Sequence, residues 1–411
     1  MTKRRWICVS NLKGGVMIRV DLEHIRRQLC QLADIGKTSK GVSHLAYSED
    51  FFRANKYVAD LMRQAGMTVR TSRVGNVIGT YPGKTKRRIV IGSHIDSVVD
   101  GGMFDGCLGV IAGIEAVRTL RENGITPEHT LDIASFAEEE GLVIAGLVGS
   151  RAYCGLPPTP IMRERMGKYG FTEQDFEEAA AEEGPLDYSL ELHIEQGGVL
   201  ENRGMDIGVV SAIIAIKRYI VEFSGVANHA GTTPMNLRDD ALVKAARFIR
   251  CVQKTVIETD PEMVGTVGRM EVFPNAMNTI PGKVSLTLEL RALREESITA
   301  VHQRLMREFE NEIASCHMTM EQPSYHMDSE VREAIHQACG KLGLSAVDMI
   351  SGAGHDSMSL AQVTKAGMLF VPSVKGVSHS WKEKTHWRDV ANGADALLQT
   401  FCILDKNLTA K

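Results

Sequence analysis

Residues 86–120 read KRRIVIGSHIDSVVDGGMFDGCLGVIAGIEAVRTL. After a basic start, the stretch opens as a continuous apolar run, the pattern of a strand buried on both faces. It closes with LGVIAGIEAVRTL (108–120), which reads as a helix. HTLDIASFA (129–137) reads as another buried strand. Strand, helix and strand in this order predict a parallel sheet covered by helices on both sides. SLELHIEQG (189–197) adds a further strand that ends in a turn. Upstream, Val20, Leu22, Ile25, Leu29 and Leu32 fall at helical spacing within 17–35, and 50–66 repeat the pattern.

The character changes beyond residue 213. KRYIVEFSG (217–225) alternates like a half-exposed strand, and 239–259 form an amphipathic helix. GTVGRMEVF (265–273) and KVSLTLELRAL (283–293) are strands, 295–316 a helix, and HMTMEQP a last strand. That β-α-β-β-α-β order within about 110 residues is a split βαβ pattern. It predicts an inserted α+β domain at 213–325, between two segments of a main domain at 1–212 and 326–411. The main-domain style resumes with SEVREAIHQACGKLG, GAGHDSM and GMLFVPS. The basic MTKRR start precedes an apolar stretch, WICV, too short for a secretory signal, and residues 1–16 read as a disordered or mis-assigned start.

Composition narrows the function. Hydrophobic residues make up 44% and charged residues 24% of the 411, enough apolar material for a real core. The net charge of −4 provides no basic face, so neither nucleic acid nor an anionic membrane is an expected partner. No apolar run approaches a bilayer span. Eight cysteines are scattered without a CxxC pair, which suits a reducing, cytoplasmic compartment better than a disulfide framework.

Between the strand and helix of 86–120 stand His94, Asp96, Asp100 and Asp105 among glycines. A phosphate loop, an ordinary turn and half of a metal site are all readings of such a stretch. The phosphate reading fails: no G-x-G-x-x-G follows the first strand, no G-x-x-x-x-G-K-[ST] occurs anywhere, and Asp105 stands where an anion would want bare amides. His94 and Asp96 lie two apart, so on a strand they share a face and Asp96 could orient the imidazole. The second strand ends in AEEEG (137–141), whose adjacent carboxylates repel unless exposed or met by a cation. ELHIEQG supplies His193, and GVSHSWKEKTHWRD (376–389) supplies His379 and His386. Open α/β sheets bind ligands beyond the carboxyl ends of their strands. Three strand-end segments with imidazoles and carboxylates therefore suggest two divalent ions, zinc or manganese, bridged by one carboxylate, with a spare Glu as general base.

Eight motifs in this order, GSHIDSV, GGMFDG, AEEEG, ELHIEQG, ANHAGTTPM, PNAMNTIPG, GAGHDSM and GVSH, resemble the hydantoinase/carbamoylase family of dinuclear metal amidohydrolases. That family includes N-carbamoyl-L-amino acid hydrolases, allantoate and ureidoglycolate amidohydrolases and β-ureidopropionases, and is related to zinc aminopeptidases. The resemblance runs from about residue 17 to 405. It implies a metallopeptidase-like α/β fold with a mixed, mainly parallel sheet, an inserted lid and dimerisation domain, and a homodimer. It implies His94, Asp105, Glu140, His193 and His379 as metal ligands, with Asp105 bridging, Asp96 orienting His94, and Glu139 as general base. It further implies that His229 polarises the scissile carbonyl, that Asn278, Arg291 and Gln196 hold a substrate carboxylate, and that Gly352, Ala353 and Gly354 wall the substrate beside His355. No role carries over to His386.

One departure bears on the substrate. The family typically follows its acidic pair with G-[SA]-R-F, whereas here Leu142, Val143 and Ile144 follow Gly141. Loss of that cation predicts a more apolar pocket, suited less to allantoate than to a carbamoyl amino acid with an apolar side chain or a formyl-amine. The expected activity is metal-assisted hydrolysis of a linear C–N bond in an N-carbamoyl or N-acyl amino acid-like substrate. The alternatives are a dipeptidase or aminoacylase-type metallopeptidase, an N-formyl-amine hydrolase, and a non-catalytic binding protein, against which the intact Glu139 and ligand set argue.

Overall fold

The computed structural model describes residues 17–180 and 184–407, so the expectation for 1–16 lies outside the described residues. Two compact units emerge. The first comprises the chain up to Ser211, Met327–Met349 and the chain from His355 on. The second comprises Ala212–His326 and Ile350–Gly354. The short return of Ile350–Gly354 to the second unit was not expected from the sequence, which assigned everything after 325 to the main domain.

In chain order the strands begin with β1 (Thr68–Thr71), β2 (Val77–Tyr81), β3 (Arg88–His94), β4 (Thr130–Phe136), β5 (Leu186–Ile194) and β6 (Ile207–Ile213). Next come β7 (Ala215–Ser224), β8 (Val264–Phe273), β9 (Lys283–Ala292) and β10 (Ile313–Gln322). The short β11 (Tyr325–His326), β12 (Ala346–Ser351) and finally β13 (Lys365–Val371) follow. In the first unit the order is β1-β2-β4-β3-β5-β13-β6. β3 runs parallel to β4 and β5, and β13 parallel to β5, while β1, β2 and β6 pair antiparallel. The sheet is mixed with a parallel centre.

β3 and β4 are buried at every residue, which is why they read as unbroken apolar runs rather than alternations. Helices Leu22–Ile35, Glu49–Gln64, Cys107–Glu122 and Trp387–Lys406 supply Ile25, Phe51, Leu108, Val390 and Phe401 to the core around them. Asp21 and Ser48 cap the first two helices by accepting from backbone N–H groups. The central strands therefore point their carboxyl ends at one edge, where His94, the segment after Phe136, and His193 all arrive.

The second unit has the strand order β10-β7-β9-β8, all antiparallel, with its own core of Phe223, Phe248, Leu288 and Val301. The expected helix over 295–316 is shorter. It ends at Glu308, and β10 has begun by Ile313. Phe309, Ile313 and Cys316 continue the four- and three-residue spacing of Val301 and Leu305, so periodicity alone carried the helix across a turn.

Candidate metal centre

His94 is the last residue of β3, and His193 is the second-last of β5. Both imidazoles are buried, with rings 5.7 Å apart. His94 Nδ1 lies 2.9 Å from the carbonyl oxygen of Asp96, and His193 Nδ1 lies 2.9 Å from that of Ile194. A carbonyl only accepts, so each Nδ1 carries the ring proton and each Nε2 offers a lone pair. That is the tautomer a ligating histidine needs. His193 Nε2 stands 3.1 Å from Asp105 Oδ1. On the other side of Asp105, His379 Nε2 is 3.4 Å from Asp105 Oδ2 and 3.4 Å from Glu140 Oε2.

Two groups of potential ligands result, His94–Asp105–His193 and Asp105–Glu140–His379. Within each, one donor atom per residue lies within 4.8 Å of the others. Asp105 belongs to both. A third group, Glu191–His193–His355, is of a different kind. Glu191 accepts from Ser93 Oγ at 3.2 Å and from Ser357 N and Oγ at 2.9 and 2.7 Å, which commits both oxygens to tying β5 to neighbouring segments.

Asp105 sits just before helix Cys107–Glu122, and Gly106 makes the connection at φ 62°. A Cβ there would lie 2.4 Å from His94 Nε2, and Gly106 N donates to His193 Nε2 at 3.2 Å. Only glycine lets the chain pass between these two imidazoles. Backbone strain collects at the same edge: Glu138, Gln196 and His379 all adopt left-handed conformations, at φ 58°, 58° and 52°. Such conformations persist in non-glycine residues where the surroundings impose them.

The crowding of buried carboxyls favours a cation here. Burial holds Glu140 up at about 9, and Asp105 and Asp96 add to the rise. Glu139 is raised well above the usual carboxylate range by burial, then by Asp356 and Glu140. Burial lowers His94 to about 4. Burial also works to lower His193, but Asp105 outweighs it and lifts the imidazole to about 9. Glu140 Oε1 is buried with no hydrogen-bond partner. Imidazole lone pairs, crowded carboxylates and an orphaned oxygen together fit divalent cations.

Asp96 acts differently from the sequence expectation. Its carboxylate is 3.8 Å from His94 Nδ1, and its backbone carbonyl is what orients the ring. β3 ends at His94, so the strand alternation that would align the two side chains does not reach Asp96. The carboxylate instead accepts from Glu139 N at 3.2 Å and Glu140 N at 3.1 Å, and so positions the acidic pair. Glu138, the first of the three acids, is fully buried, and its Oε1 accepts from Val143 N and Ile144 N at 2.7 and 2.6 Å. AEEEG thus divides its labour between loop anchoring and the centre.

Gln196 is drawn to the bridge itself: its Nε2 donates to both oxygens of Asp105, at 3.1 and 3.0 Å. Sequence reasoning missed Ser378, whose Oγ donates to Asp105 Oδ2 at 3.1 Å, and Glu383, whose Oε1 accepts from Asp105 N at 3.2 Å. Of the apolar triplet after Gly141, Leu142 is 53% exposed, whereas Ile144 is fully buried in a cluster with Val148, Met162 and Phe176. Ile144 therefore cannot line a pocket. His386 stands at the start of helix Trp387–Lys406, where its carbonyl accepts from Asp389 N and Val390 N.

His229, Asn278, Arg291, Gly352, Ala353 and Gly354 belong to the second unit. His229 is exposed, and its Nδ1 accepts from Gly231 N at 3.0 Å and Thr232 N at 3.2 Å. The ring proton therefore sits on Nε2, which faces outward as a donor. Asn278 is exposed beside it: its carbonyl accepts from Ala230 N at 2.9 Å. The Arg291 guanidinium bonds Glu289 at 2.8 Å and the Gly352 carbonyl at 2.6 Å.

A profile for peptidase family M20/M25/M40 matches residues 90–402. The chain is 35% identical to an N-carbamoyl-L-amino-acid amidohydrolase from Paenarthrobacter aurescens, over 94% of this chain and 99% of the relative. It is 34% identical to a ureidoglycolate hydrolase from Arabidopsis thaliana, over 94% of this chain and 87% of the relative. Among solved structures, an amidase of the hydantoinase/carbamoylase family from Burkholderia multivorans superposes with a TM-score of 0.85 at 31% identity, covering 93% of this chain and 98% of that one.

Proposed function

The chain belongs to peptidase family M20/M25/M40, within its hydantoinase/carbamoylase branch, and from that premise we propose that it is a metal-dependent amidohydrolase of N-carbamoyl amino acids. The observation that carries the reading is Asp105, shared by two ligand groups, with the Glu139 carboxylate at 3.6 Å from His94 Nε2 and in neither group. His94 and His193 would hold one divalent ion and Glu140 and His379 the other, zinc or manganese, with Asp105 between them. When bound, the ions supply Lewis acidity toward the scissile carbonyl and toward water.

Glu139 takes a proton from the attacking water and returns it to the departing nitrogen. His229, with its proton fixed on Nε2, donates to the carbonyl oxygen as negative charge develops there. In this reading Arg291 and Asn278 would take the substrate carboxylate, the guanidinium as a two-pronged donor, with Gly352–Gly354 walling the substrate, while the Gln196 amide, expected to join them, is committed to Asp105. An N-carbamoyl amino acid and water then yield the amino acid, CO2 and ammonia. The absence of the family's arginine after the acidic pair, where Leu142, Val143 and Ile144 stand instead, is what favours an apolar side chain on that amino acid. With manganese or zinc added, ammonia release is expected from N-carbamoyl amino acids, greatest for those with apolar side chains. Release of amine from dipeptides alone, in the same panel, would overturn the assignment.

In this reading the second unit is the dimerisation domain. β8 lies at the sheet edge with Val264, Met270 and Phe273 exposed, and helix Ala241–Thr259 exposes Val243 and Ile257. Unpaired edges with apolar side chains invite a second copy. Sedimentation equilibrium is expected to return twice the chain mass, and a Met270→Lys, Ile257→Lys double variant the single mass. A wild-type monomer at micromolar concentration sinks the dimer. Among the described residues the cysteines are free and no helix is long and apolar enough to cross a membrane; the free thiols favour the reducing cytoplasm.

A further inference from the structure

Glu383 follows His379 by four residues and has no role in the catalytic reading, yet it is only 7% exposed. A buried carboxylate needs strong partners. Glu383 Oε1 accepts from the backbone N–H of Phe104 at 3.0 Å and of Asp105 at 3.2 Å. Its Oε2 accepts from Ser378 Oγ at 3.3 Å, and that hydroxyl also reaches Asp105 Oδ2 at 3.1 Å. Ser378 directly precedes His379. Glu383 is itself held in place: its N–H donates to the Ser380 carbonyl at 2.9 Å, and Val374 N donates to the next carbonyl, of Lys384, at 2.8 Å.

The fit is close on the far side as well. A Cβ on Gly102 would lie 2.1 Å from Glu383 Oε1 and 2.5 Å from its Cβ, so the GGMFDG loop packs its backbone directly against this side chain. No basic side chain neutralises Glu383 within that set of bonds. Its partners are the backbone of the bridging residue, the residue before it, and the hydroxyl that bonds the bridging carboxylate.

We propose that Glu383 is a positioning residue that straps the Asp105 loop to the His379 loop and so sets the affinity of the ion held by Asp105, Glu140 and His379. The proposal rests on reading Asp105 and His379 as ligands. Groups that orient metal ligands typically change affinity by about 10- to 100-fold when removed. The ion between His94 and His193 depends less on the strap, because carbonyls of Asp96 and Ile194 orient those imidazoles independently.

The test is equilibrium dialysis against Mn2+ or Zn2+ with elemental analysis, joined by the visible spectrum of the Co2+-loaded protein. Wild type is expected to bind two ions. Glu383→Ala should weaken the second by about 10- to 100-fold and shift the Co2+ bands, with a smaller loss at the first, which shares only Asp105 with the strap. Glu383→Gln should stay within about threefold of wild type, since its amide oxygen still accepts from two N–H groups and its NH2 still reaches Ser378 Oγ. Gly102→Ala should behave like Glu383→Ala, because the new methyl occupies the carboxylate's place. If Glu383→Ala does not fold, Gly102→Ala and Ser378→Ala carry the comparison. Undiminished second-ion affinity in Glu383→Ala, or equal loss in Glu383→Gln, overturns the strap alone. A wild-type chain that binds fewer than two ions overturns the ligand reading beneath it.

Discussion

A Glu139→Gln chain is expected to keep its metal content and lose about 100- to 10,000-fold in kcat, the range a positioned general base supplies. The side chain belongs to neither ligand group, and its Oε2 stands 3.6 Å from His94 Nε2. Its backbone N–H is fixed on Asp96 Oδ1. Glutamine has the same shape and fills the same buried space but accepts no proton, so KM should change little. Ammonia release gives kcat, and elemental analysis of the same sample gives metal. If metal leaves together with activity, Glu139 is a ligand and the base lies elsewhere.

Chelation is expected to abolish hydrolysis and leave a folded chain whose stability falls as pH rises from about 5 to about 9. The sign follows from the carboxyls at the carboxyl edge of the sheet. Burial raises Asp96 to about 6, and Glu138 and Glu383 to about 7; it also raises Glu140 to about 9. In an unfolded chain such groups titrate near ~4. The folded state therefore holds protons more tightly, an advantage complete below ~4 and lost as pH climbs through each folded value. Bound cations remove the reason for those protons. Differential scanning calorimetry with and without manganese should show the two melting curves diverging toward alkaline pH. At a hundredfold excess over Kd each site adds about 2.7 kcal/mol. Parallel pH profiles would show that the carboxyls are not the cation's partners.

Much of this was legible in the chain itself. The parallel centre of the sheet followed from two unbroken apolar runs around a helix, and the insert from its alternating strands. Strand ends announced that segments bearing His94, AEEEG and His193 converge, while Asp105, Glu140 and His379 as partners came from the family resemblance. What escaped reading was mostly backbone. Strand alternation pairs Asp96 with His94, but the strand stops at His94, two residues short of Asp96, and a carbonyl takes the role. Glu383 stands among the charges of KEKT (382–385), and no spacing rule announces a side chain that bonds peptide groups about 280 residues earlier. Ile144 looked like pocket lining until the short helices 148–153, 160–166 and 173–177 gave it a core to enter. Those helices are too short for periodicity to reveal.

The donors of the centre are spread along the chain from His94 to His379, on segments that become neighbours only when the sheet of the first unit has formed around β5 and β13. Bringing such distant segments together carries an entropic penalty that the apolar core, not the ions, must meet first. No fragment released before residue 379 contains the full set. A chain that stops short of His379 would lack one donor of the Asp105–Glu140–His379 group, and a cation held by that group would tie early and late portions of the polypeptide together.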